Sequence, residues 1–259
     1  MNANNEIEKV NKDEEAVVAN GIGSTDATKA SADIVPTLAY LHFYVFVCGL
    51  GALQTGWAIT GNTQTAPVFI VKFGWDDDEQ KIYNTLISSV SILGIAIGSL
   101  FGGLAVQKGR RRAIFIFDLM VIFGSAICQY LSLPTLCLGR FICGLAAGVL
   151  NIALSKSIIE TVPEKYTGLF GSFSNFYIAL GVMLATVAGV VLPGKEGYAE
   201  TELWRFVYAC PIGISILQML LFLFIWKEEP INFSVSVGDD ASAKRFMARV
   251  FKTPNATSA

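Results

Sequence analysis

From Ile34 to Val71 the chain carries no charged side chain apart from the titratable His42. Soluble domains devote about a quarter of their residues to charge and do not sustain such a run. A helix of about 20 apolar residues, by contrast, crosses a bilayer. Runs of this kind recur, and they account for a chain that is 53% hydrophobic and only 15% charged. Six spans are expected, over residues 36–60, 82–107, 113–130, 135–159, 169–192 and 204–226. The chain therefore reads as an all-α, multi-span membrane bundle. Trp57, Trp75, Trp204 and Trp226 are expected near span ends, as interfacial aromatics are.

The turn after the second span orients the bundle. Lys108, Arg110, Arg111 and Arg112 put four positive charges within five residues, which hydrocarbon does not accept. Lys and Arg collect in short cytoplasmic loops, so this turn is expected at the cytoplasmic face. Trp75-Asp76-Asp77-Asp78-Glu79 then reads as an outer loop, and so does 193–202. With six spans, both termini fall on the cytoplasmic side. Residues 1–33 hold seven acids and three lysines with almost nothing bulky, the composition of a disordered cytoplasmic tail. Residues 34–226 form the bundle, and 227–259 form a cytoplasmic segment. Within that segment, 241–251 sets Lys244, Arg245 and Arg249 beside Phe246, Met247, Val250 and Phe251, the pattern of a surface-lying amphipathic helix. Gly94, Gly98 and Gly102, and again Gly144 and Gly148, recur four apart and expose backbone to a neighbouring helix.

The residue inventory excludes several chemistries. One histidine and no Gly-x-Ser-x-Gly leave no hydrolytic triad, and no metal-ligand cluster is visible, so neither an enzyme nor a cofactor is implied. All five cysteines lie inside apolar runs and read as small packed residues. Nothing resembles a channel filter or a voltage sensor, and no feature points to nucleic acid. The charges within spans are more telling, because they are costly there and either reach water or serve a function. For Asp118, Lys156 and Glu160 both readings stand. Arg140 falls about 9 Å down its helix from the outer loop and is expected to face a cavity.

Four motifs then point one way. Gly103-Leu104-Ala105 followed by Gly109-Arg110-Arg111-Arg112 resembles the major facilitator superfamily's loop between its second and third helices. Gly139-Arg140-Phe141-Ile142 with Gly144 and Gly148, then Glu160, Pro163 and Gly168, resembles the sugar porter branch. Leu50-Gly51-Ala52-Leu53-Gln54 with Gly56, and Trp204-Arg205, resemble that family's first and sixth helices. The pattern departs from the family at Val106, Gln107, Ser155, Ser157 and Thr167, at Asn175 in place of a glutamine, and at 227–231. The family has twelve spans, and six are visible here.

The resemblance implies the six-helix N-terminal half of that fold, built as two three-helix repeats. It implies a plasma-membrane transporter half that moves a hexose or similar small polyol by facilitated diffusion, with a second half or a second copy as partner in the lipid bilayer. The rival reading is a truncated or non-transporting subunit or sensor derived from a sugar transporter. Asn175, Gln54 and Arg140 become the substrate-side residues, with amides matched to sugar hydroxyls. Gly103, Gly109, Arg110, Arg111, Glu160 and Glu228 become a cytoplasmic ion-pair latch. With Val106 and Thr167 in place of two of its members, Glu160→Gln is expected to act weakly. Proton-coupled members place an acid in the first helix near the fourth-helix arginine. Residues 54–60 hold none, and Asp118 is expected at the cytoplasmic face, so movement is expected to be passive.

Overall fold

A computed structural model describes residues 35–36, 38–107, 109–162, 164–193, 197–224 and 251–252. Six helices run through it: α1 Leu38–Phe73, α2 Asp77–Gln107, α3 Arg110–Cys128, α4 Leu133–Thr161, α5 Glu164–Gly189 and α6 Trp204–Phe224. Among the described residues the fold is all-α but for one two-residue antiparallel pairing, β1 Val35–Pro36 with β2 Phe251–Lys252. Phe251 is thus extended, and the rest of the expected amphipathic helix, like the expected tail 1–33, lies outside the described residues. Five of the helices are long and apolar enough to cross a membrane. The sixth, α3, is equally apolar between its charges but opens on Arg110, Arg111 and Arg112 and carries Asp118.

α1 differs most from its expected bounds. It continues past Thr60 to Phe73, 36 residues or roughly 54 Å, longer than a bilayer core requires. The continuation is held by packing: Phe69 meets Trp204 edge-on at 5.4 Å and stacks on Tyr208 at 6.1 Å. Trp57 therefore sits mid-helix and buried, with its indole N–H donating to Val207 O at 2.9 Å, and not at an interface. The acidic outer loop is also shorter than expected. Asp77, Asp78 and Glu79 form the first turn of α2, where the helix dipole favours negative charge. Glu79 reaches back to the Asp76 N–H at 3.2 Å, half of a capping box. On the same side, Lys72 at the end of α1 pairs with Glu202 at 2.9 Å. That hydrogen bond is the main cause holding the Glu202 carboxyl below its ordinary range, so the tie is present near neutral pH and is lost on acidification.

The packing repeats. α1 lies along α5, and α4 lies along α2; α3 packs on α4, and α6 packs on α1; α1 meets α4, and α3 meets α6. Exchanging α1–α3 for α4–α6 maps this set of pairs onto itself, as expected of two three-helix repeats. The close pairs also share a device. A methyl group at Gly98 would run into Leu145 O, and one at Gly144 into Ser91 O; across the other pair, Gly56 abuts Ile178 O and Gly181 abuts Leu53 O. Lipid supplies no hydrophobic force between helices, so backbone approach of this kind carries the packing. Gly98→Ala should lower the stability of the purified protein by about 1–3 kcal/mol, since backbone cannot yield to the added methyl. Thermal unfolding in detergent would test this; an unchanged midpoint would mean that α2 and α4 are not locked there. Leu100, Val190 and Phe224, by contrast, point outward on α2, just past α5, and on α6, where lipid accepts them.

Candidate functional site

The expected site residues fall in three places. At the base of α3, Gly109 adopts φ +126°, a conformation that glycine reaches without strain, and the chain turns there from α2 into α3. Arg110 follows at once, and its Nη2 donates to Glu160 Oε1 at the end of α4. These side chains are only 13% and 14% exposed, so the pair is largely withdrawn from water. Lys156, a turn earlier on α4, donates to Gly103 O at 3.1 Å and ties α4 to the end of α2. The Arg111 guanidinium lies 5.9 Å from the centre of the Phe115 ring. Of the expected latch, Arg110 and Glu160 are joined and Gly103 is bound from α4. Glu228 lies outside the described residues. Val106, at the family's acidic position, is buried in the core.

The second place is inside the bundle. Arg140 is 3% exposed; its Nη2 donates to Ala58 O at 2.6 Å, and its guanidinium carbon stands 6.0 Å from the Tyr208 ring centre. Gly61, with no side chain, leaves room for it. No carboxylate pairs with Arg140 among the described residues. Gln54 and Arg140 line one cavity of about 20 Å³ with Trp57, Ser125, Cys143 and Tyr208. That volume accepts a water molecule and excludes a hexose, whose pocket needs hundreds of Å³.

Asp118 is not where the sequence reading put it. It is fully buried, two turns into α3, and accepts from Gln54 Nε2 at 3.3 Å. The helix starts at Arg110, so Asp118 stands about 12 Å beyond the basic turn and faces inward. Gln54 Nε2 also donates to Ser215 Oγ of α6 at 3.0 Å, and Gln218 lies a turn further along α6 beside Gly51. Sequence reasoning missed Ser215 and Gln218. Two polar residues three apart, in a helix otherwise almost wholly apolar, were the available signal.

The third place is the outer surface of α5. Asn175 is exposed there and is not part of the internal cavity. Its neighbour Ser174 is half-buried and donates to Asn151 Oδ1 of α4 at 3.1 Å. Gln54 and Arg140 are therefore brought together, and Asn175 stands apart from both.

The family described as "Sugar (and other) transporter" matches residues 44–259. The chain is 25% identical over 230 residues to hexose transporter 1 of Toxoplasma gondii, covering 82% of this chain and 40% of that protein. It is 26% identical over 206 residues to glucose transporter HT1 of Trypanosoma vivax, covering 71% and 38%. The chain thus spans less than half the length of these relatives. Among solved structures, the proton:xylose symporter XylE bound to 6-bromo-6-deoxy-D-glucose superposes with a TM-score of 0.72 at 18% identity. That match covers 82% of this chain and 50% of the other. It establishes the fold: one half of a major facilitator bundle.

Proposed function

Because the chain belongs to the sugar (and other) transporter family, we propose that it moves a hexose or similar small polyol across a membrane by facilitated diffusion, working with a second six-helix half. The family match over 44–259 carries this reading, and the transporter names of the relatives support it. The second half comes from a longer chain or from another copy related by an axis along the membrane normal. Asn175 offers its amide to sugar hydroxyls at the exposed face of α5, where that half would close a cavity. Gln54 and Arg140 act from behind, through the internal cavity they share, which is too small to admit the sugar. Arg110, Arg111, Glu160 and Glu228, with Gly103 and Gly109 shaping the turn, form the latch of the inward-facing end.

The test is uptake of labelled D-glucose and D-xylose into liposomes holding the purified chain, with L-glucose as control. Saturable uptake that stops at the outside concentration is the expected result. No saturable uptake by correctly inserted protein would rule out a carrier built from copies of this chain, leaving a non-transporting subunit or sensor, or a half completed by a longer chain.

The proposed orientation puts both termini and the basic turn in the cytoplasm of a plasma-membrane protein, because Lys and Arg favour that side. On a cysteine-free background, a cysteine replacing Asp77 should react with an impermeant thiol reagent added outside intact cells, and one replacing Lys108 should not. The opposite labelling would invert the bundle and remove the latch from the cytoplasmic end.

A further inference from the structure

Asp118 is a fully buried carboxyl with no cation hydrogen-bonded or ion-paired to it among the described residues. The elements around it offer none. α1 supplies Gln54, with Tyr44 and Cys48 further down; α4 supplies Arg140 and Cys143; α6 supplies Ser215, Gln218 and Tyr208. Arg140 is engaged elsewhere, on Ala58 O. α2 carries its titratable groups, from Asp77 to Tyr83, in its first two turns, and Arg110, Arg111 and Arg112 of α3 lie about 9–12 Å back along the helix. Burial disfavours an ionised carboxylate in that setting, and no cation is paired with it among the described residues to offset the cost.

The hydrogen bonds lead to the same conclusion independently. Gln54 Nε2 uses both its protons, one on Asp118 Oδ1 at 3.3 Å and one on Ser215 Oγ at 3.0 Å. Two acceptors are then left without a donor, Asp118 Oδ2 and Gln54 Oε1. Both amide atoms of Gln218, beside Gly51, are buried without partners as well. A proton on Oδ2 turns one orphan acceptor into a donor and removes the charge in the same step. A buried polar group left unmatched is costly, so this arrangement selects the protonated form.

We propose that Asp118 is a proton-binding site of this packed arrangement, its proton carried on Oδ2. Loss of the proton places a bare carboxylate against the α1–α6 contact and drives the bundle to an arrangement that admits water there. Raising pH therefore depopulates the packing seen here. The site rests on geometry alone; only its consequence for transport rests on the sugar-carrier reading. Proton binding of this kind tunes the populations between which a facilitated carrier alternates, without itself driving accumulation.

Infrared difference spectroscopy of the full chain in lipid tests the site directly. The wild type minus Asp118→Asn should show the C=O stretch of a protonated carboxyl at neutral pH, lost as pH rises. Gln54→Leu should shift that band, because the carboxyl loses the hydrogen bond that the Gln54 amide donates to Oδ1, and this holds even if Asp118→Asn folds poorly. Equilibrium exchange of D-glucose should fall by up to about tenfold per pH unit above the transition in the wild type and stay flat in Asp118→Asn. No carboxyl band at neutral pH would overturn the proton site, whether or not glucose moves. A band with glucose exchange equally pH-dependent in both proteins would overturn the link to transport. A band with no glucose exchange at all supports the proton site and overturns a carrier built from copies of this chain.

Discussion

Arg140→Met should leave the bundle folded yet cut sugar flux by about an order of magnitude or more. Arg140 is a buried cation with no carboxylate, held by Ala58 O at 2.6 Å and the face of Tyr208. Removing such a charge relieves a desolvation cost. Replacing buried ionic groups by apolar ones of similar size is often neutral, or stabilising by about 1–4 kcal/mol. Ala58 O keeps Ser91 Oγ as a second donor at 3.3 Å, so it is not orphaned. What is lost is a charge-assisted bond between α4 and α1, worth about 1.5–3 kcal/mol, or roughly ten- to a hundredfold in an equilibrium between packings. A stable but slow variant would show that the residue is kept for alternation and not for the fold. Flux that matches the wild type would assign Arg140 to packing alone, and an unfolded product would make its charge integral to the bundle. Arg140→Lys, which keeps the charge but not the fork, should fall between the two.

Much of this was legible in the sequence, and the failures share one cause. Uncharged runs located all six helices, because a bilayer leaves few alternatives to a helix, and the four-residue glycine spacings marked the contacts where α2 and α4 touch backbone to backbone. Arg140 was expected in a cavity and lines one. Charge counting, however, gives depth along a helix and not direction around it. It placed Asp118 near the cytoplasmic face, whereas rotation of α3 turns that carboxyl toward Gln54. It ended α1 at Thr60, because the aromatic packing of Phe69 on Trp204 and Tyr208 joins residues far apart in the chain and leaves no local mark. Trp57 was misplaced by the same error, since an interior tryptophan and an interfacial one differ only in where the helix ends. Gln54 and Asn175 look equivalent as amides in the sequence; one is buried inside the bundle and the other is exposed on α5.

On the proposed function, Glu160→Gln should shift the protein strongly toward the state open on the side of the basic turn. The departures at Val106 and Thr167 argue for a weak latch, but the Arg110–Glu160 pair is largely withdrawn from water. Exposed ion pairs are worth about 0–1 kcal/mol and breaking a buried one costs about 3–5. With side chains 13% and 14% exposed, Arg110 and Glu160 stand nearer the buried case. A loss of about 2–3 kcal/mol corresponds to roughly a 30- to 150-fold change in the equilibrium between closed and open forms. The pair joins the start of α3 to the end of α4, at the end of that contact opposite the short turn at 129–132. Gln keeps the size of the side chain and one acceptor, so the change isolates the charge. On a cysteine-free background, a cysteine replacing Ser155, half-buried on α4, reports access from the cytoplasm and should label faster in Glu160→Gln. Arg110→Gln should behave the same way, and the double variant should be less affected than the two single effects combined, because each removes the same contact. Additive effects would mean that Arg110 and Glu160 act separately, and unchanged labelling in all three would show that this pair does not close α3 against α4.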